Sequence, residues 1–164
     1  MIPTSTLAQT LLVGVIATVV LDAWMWGLAR LGLASVDWAP VGRWVGLMAQ
    51  GRFAHDSIAK APALAFERAM GWAVHYAVGI VYAALLVAWQ GLDWLRAPTL
   101  APALALGIAT VVVPMLVMQP AMGAGFFSSR TPTPWRNRLR SLANHTVFGL
   151  GLYLAGAVLA RVWP

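Results

Sequence analysis

Residues 70–89 read MGWAVHYAVGIVYAALLVAW, twenty positions without an Asp, Glu, Lys or Arg. As a helix rising 1.5 Å per residue this stretch is about 30 Å long, the thickness of a bilayer's hydrocarbon core. It lacks the strict alternation of a barrel strand and is far longer than one, so its backbone groups must be satisfied within a helix. Three further segments share this character, at about residues 7–33, 100–118 and 142–162. The first is interrupted only by Asp22 and Arg30. Of the 164 residues, 60% are hydrophobic and 10% charged, whereas soluble domains carry about 25% charged residues. So little polar surface cannot cover a soluble fold. The chain is therefore read as an all-α, polytopic membrane protein with four transmembrane helices in a single domain over residues 1–164.

The absence of cysteine removes disulfides, thiolate metal sites and cysteine catalysis. The N-terminus has no basic n-region and its apolar run is too long for a cleaved signal peptide. Lys and Arg are unevenly distributed. Nine lie in or beside the first and third loops: Arg30, Arg43, Arg52, Lys60, Arg68, Arg130, Arg136, Arg138 and Arg140. Only Arg96 and Arg161 lie on the other side. By the positive-inside rule, loops one and three are cytoplasmic and both termini outside, in a bacterial inner membrane. Trp72 and Trp135 then mark the inner interface, and Trp89, Trp94 and Trp163 the outer one. The formal charge of +6 is thus a signal of topology, and no nucleic-acid partner is expected. Loop one is too long for a simple connection. Its residues 41–50 place Trp44, Leu47 and Met48 on one face, a short helix expected in the inner headgroup region. In loop three, Thr133 before Pro134 is a helix start.

The second half of the chain echoes the first. Ile16-Ala17-Thr18-Val19-Val20 recurs as Ile108-Ala109-Thr110-Val111-Val112. Pro62, Arg68, His75 and Gly79 recur at the same spacing as Pro132, Arg138, His145 and Gly149. This reads as two tandem helical hairpins, about residues 7–90 and 100–163, related by an axis along the membrane normal. In that register Asp22 corresponds to Pro114, a helix-kinking proline.

The repeat places the candidate site. Asp22 lies eight residues before Arg30, about 12 Å deep, and His75 and His145 lie inside the inner ends of spans two and four. Ionisable residues in a span cost about 2.5–3.5 kcal/mol for Asp and normally face the bundle or a water cavity. Asp22, His75 and His145 are therefore expected to form an intramembrane polar site. It would serve ion or solute transport, supply metal, haem or quinone ligands with help from Met25, Met115, Met118 or Met122, or only fix packing in an accessory subunit of a larger complex. No H-E-x-x-H or similar ligand motif is present. The small stripes Gly71, His75, Gly79 and Ser141, His145, Gly149 recur at i, i+4, i+8, and a crossing of spans two and four is expected there. Arg130, Arg136, Arg138 and Arg140 are expected to contact anionic lipid headgroups or another anion. Arg68 and Arg138 are expected to cap the two histidine helices, and Glu67 and Asp37 are candidate partners of Arg30. His55-Asp56 is read as a solvated pair. No nucleophile with a base, phosphate loop or paired carboxylates appears, so the reading leans away from an enzyme. Four spans enclose little interior, and a homodimer is expected.

The stretches Gln119-Pro120-Ala121-Met122-Gly123-Ala124-Gly125, Ser129-Arg130-Thr131-Pro132, Arg138-Leu139-Arg140-Ser141-Leu142 and His145-Thr146-Val147-Phe148-Gly149-Leu150-Gly151-Leu152-Tyr153 resemble a family of small bacterial inner-membrane proteins classed as a domain of unknown function. Asp22 and Gly42-Arg43-Trp44 are similar too. The resemblance implies a four-helix membrane protein and assigns no activity.

Overall fold

The structure, a computed structural model, describes residues 4–33 and 37–163. Among these residues there is no strand. The long helices are α1 (Thr4–Arg30), α3 (Glu67–Gln90) and α6 (Pro134–Val162). The short ones are α2 (Ala39–Met48), α4 (Leu100–Ala109) and the single turn α5 (Gln119–Ala121). Four helical stretches are long and apolar enough to cross a membrane: α1, α3, residues 100–121 and α6. The third is discontinuous. Pro114 has no N–H to offer the Thr110 carbonyl, and Val113 N–H bonds to it instead, at 3.1 Å. The chain turns at Thr110–Val111 and then winds loosely over Pro114–Met118 as a π-turn, where the Gln119 N–H reaches back five residues to the Pro114 carbonyl.

The contacts divide the chain into two compact units. The first contains residues 4–33, Tyr76–Ala109 and residues 144–163, and the second residues 37–75 and Thr110–Ala143. Each unit draws on both halves of the sequence, and α3 and α6 contribute residues to both.

In the first unit α1 turns mostly small residues inward and large ones outward. On α1, Val13, Gly14, Ala17 and Thr18 are buried while Leu7, Leu11 and Val19 are exposed. Lipid solvates leucine as well as a core would, so association is driven by close backbone packing. Gly14 shows how close: an added Cβ would lie 2.6 Å from Ile80 Cα and 2.9 Å from the Gly79 carbonyl on α3. Thr18 tucks its hydroxyl back onto the Gly14 carbonyl, at 2.8 Å. Around this contact Leu86, Trp94, Phe148 and Leu152 fill the core. Trp94 is part of that core. It is only 4% exposed, its ring packs on Gly156 of α6, and its indole N–H donates to the Thr99 carbonyl at 3.3 Å. It is a core residue, unlike Trp89 and Trp163, which are exposed.

In the second unit α2 packs across the start of α3. An added Cβ on Gly42 would collide with the Glu67 carbonyl and lie 2.6 Å from Gly71 N. Leu47 is fully buried, so α2 is docked on protein as well as amphipathic. An ion pair also holds loop one. Arg43 Nε and Nη2 each donate to the Glu67 carboxylate at 2.7 Å. Arg43 Nη1 also donates to the Ile58 and Ala61 carbonyls, both at 3.1 Å. This bidentate bonding to Glu67 raises the Arg43 pKa above its ordinary value despite partial burial.

Candidate functional site

Asp22 sits on the C-terminal half of α1 and is half-buried. Its Oδ2 accepts a hydrogen bond from the Tyr76 hydroxyl of α3 at 2.8 Å. Tyr76 was missed by the sequence reading, which passed over the residue beside His75. A phenol in a span must find a partner for its O–H, and that requirement was the available signal. Elsewhere on α1, the exposed Trp24 donates its indole N–H to Asn144 Oδ1 of α6 at 3.1 Å.

His145 belongs to the first unit, on α6. Its ring is hydrogen-bonded to the backbone of Gly107, in the last turn of α4 before the Thr110–Val111 break. The approach is close. A Cβ on Gly107 would lie 2.5 Å from Gly149 Cα and 2.7 Å from the His145 carbonyl.

His75 belongs to the second unit. Its ring stacks on Trp38, with centroids 4.0 Å apart and planes inclined by 24°. Trp72 meets the same imidazole edge-on at 5.8 Å. Trp38 also presents its carbonyl to Gly71, where any Cβ would collide with it.

The glycine stripes therefore have different neighbours from those expected. Gly79 packs on Gly14 and Thr18 of α1, Gly149 on Ala103, Leu104 and Gly107 of α4, and Gly71 on Trp38. Ser141 is half-buried. The close approaches in the first unit pair α1 with α3 and α4 with α6, and also α1 with α6, where a Cβ on Gly151 would lie 2.9 Å from the Ala17 carbonyl.

The four arginines of loop three divide. Arg130 and Arg136 are exposed. Arg138 Nε donates to the Phe127 carbonyl at 2.7 Å, and Arg140 is half-buried. Arg30 lies over the Trp26 ring at 4.0 Å, and Glu67 is paired with Arg43. In loop one the His55 backbone N–H donates to the Ala121 carbonyl at 2.8 Å. Its ring Nε2 is buried without a hydrogen-bond partner, so His55 is less solvated than expected, while Asp56 is exposed. Among the described residues no group of three or more His, Cys, Asp or Glu is placed to hold a metal ion. Met25 and Met115 are buried as packing residues.

A family model covers residues 11–159, which include every residue discussed in this site. The chain belongs to the DUF2938 family. That family is described as a protein of unknown function, which agrees with the resemblance read from residues 119–153 and adds no chemistry to it. No curated protein and no solved structure matches the chain.

Proposed function

We propose that this DUF2938 protein is a small transport-type protein of the bacterial inner membrane, in which Asp22 holds a small cation, the proton in the simplest case. The observation that carries the reading is the Asp22–Tyr76 hydrogen bond between two membrane-crossing helices. A carboxylate in a span is costly unless it has a task or a partner. The Tyr76 hydroxyl suits both charge states, because it donates to a carboxylate and accepts from a protonated acid. The interruption of the third span is consistent with this. Broken helices and π-turns recur where a membrane protein binds or moves. His145 of α6 is bonded to Gly107, three residues before the break in sequence. A homodimer belongs to the same reading, since four spans enclose little space. A native-lipid mass of one chain would count against that part.

The test is proton flux into proteoliposomes under an imposed pH gradient, read with an internal pH dye. Wild type is expected to exceed empty liposomes. Asp22→Asn is expected to reduce the flux at least about tenfold, and Tyr76→Phe, lacking one hydrogen bond, about two- to tenfold. A melting curve checks that both variants fold. Equal flux from wild type and folded Asp22→Asn would sink the proposal.

A further inference from the structure

Helix α6 is longer than a membrane requires. Its 29 residues span about 43 Å, against a hydrocarbon core of about 30 Å. Roughly two turns must therefore lie outside the hydrocarbon. Three arginines, Arg136, Arg138 and Arg140, fall in the first seven residues, and Arg161 alone lies near the far end, so the N-terminal turns are the ones outside. These turns are nevertheless apolar on one face. Trp135 is 67% exposed and Leu139, one turn on, 48%.

The turn before α6 repeats the pattern. Phe127 and Ser128 both have left-handed backbones, at φ +52° and +59°, a conformation that side chains other than glycine adopt at a cost. Side-chain bonds reinforce it: Arg138 Nε to the Phe127 carbonyl at 2.7 Å, Ser128 Oγ to Gln119 Oε1 at 2.9 Å, and Thr131 Oγ1 to the Ser128 carbonyl at 2.7 Å. The outcome is a buried serine, 2% exposed, beside Phe126 and Phe127 at 60% and 44%. A strained turn that shows two phenylalanines to water has no folding rationale. At a lipid interface the same rings are favourably placed. The surrounding charge selects which lipid. The second unit carries eight Lys and Arg against three acids, and Arg130 and Arg136 are exposed beside the rings.

We propose that the Phe126–Ser128 turn and the first two turns of α6 form a seat for anionic phospholipid. Phe126, Phe127, Trp135 and Leu139 enter the boundary between headgroups and acyl chains, and Arg130 and Arg136 bind the lipid phosphates. Arg138 is a positioning residue, because its Nε holds the turn. The seat is independent of the transport reading.

The experiment compares phosphatidylglycerol with phosphatidylcholine on the full chain in mild detergent. Native mass spectrometry reads retained lipid, and thermal melting reads stabilisation. Each exposed arginine is expected to contribute about fivefold to the preference, so wild type retains phosphatidylglycerol over tenfold more than phosphatidylcholine. Arg130→Gln with Arg136→Gln brings the ratio near one while leaving the melt in phosphatidylcholine unchanged. Arg130→Lys with Arg136→Lys keeps most of the preference, and should the double Gln variant not fold, each single Gln variant loses about fivefold. Arg138→Gln lowers the melt in both lipids. Three results would overturn the proposal: no preference in wild type, a preference surviving in a folded double Gln variant, or inorganic phosphate reproducing the stabilisation without acyl chains.

Discussion

A single methyl group tests the packing most sharply at Gly42. Its Cβ would enter the backbone of α3 at Glu67 and Gly71, and backbone cannot step aside as a flexible side chain can. Gly42→Ala is expected to lower the melting temperature in detergent by on the order of 5–10 °C. Gly27→Ala on α1, where nothing lies within 4 Å, should leave it unchanged or raise it slightly through helix propensity. Equal melts for the two variants would refute the α2–α3 contact. The same logic shows what the sequence could reveal at this scale. Spacing at i, i+4, i+8 identified Gly71, Gly79 and Gly149 as members of small faces, but spacing does not say which helix a face meets. Asp22 was legible because charge is rare in a span. Tyr76 was not, because a tyrosine near a membrane interface is ordinary until its partner is known.

At the scale of elements, length and hydropathy set the four spans to within a few residues, and Thr133-Pro134 marked the start of α6. Pro114 was legible as a kink, yet the extent of the disturbance, from Thr110 to Met118, depends on how the freed carbonyls find new donors. Loop one was legible as too long and as carrying a short helix at residues 41–50, found at Ala39–Met48, but not in how the rest of it is held. Its order comes from Arg43, whose partners are three residues in the loop and Glu67 beyond it, a long-range pairing that local pattern does not contain. Arg43→Gln is expected to loosen residues 57–66 and to raise their amide exchange at least about tenfold over the core of α3. Unchanged exchange there would mean that the 3₁₀ turn at Ile58–Lys60 holds itself.

For the whole molecule, the orientation implied by nine basic residues against two can be tested directly because the chain has no cysteine. Lys60→Cys is expected to react with a membrane-impermeant maleimide only after cells are opened, and Arg96→Cys in intact cells. The reverse pattern would invert the topology and put the proposed lipid seat at the outer leaflet. The contact of Gly14 with α3, and of Gly107 with Gly149, also shapes how this protein can vary. Any missense change in a glycine codon adds at least a Cβ, whereas single-base changes among Leu, Val, Ile and Met codons on the outward faces exchange one oily surface for another. A random-mutagenesis library screened for protein abundance should therefore be depleted at these glycine codons first, and should drift freely over most of the remaining sequence.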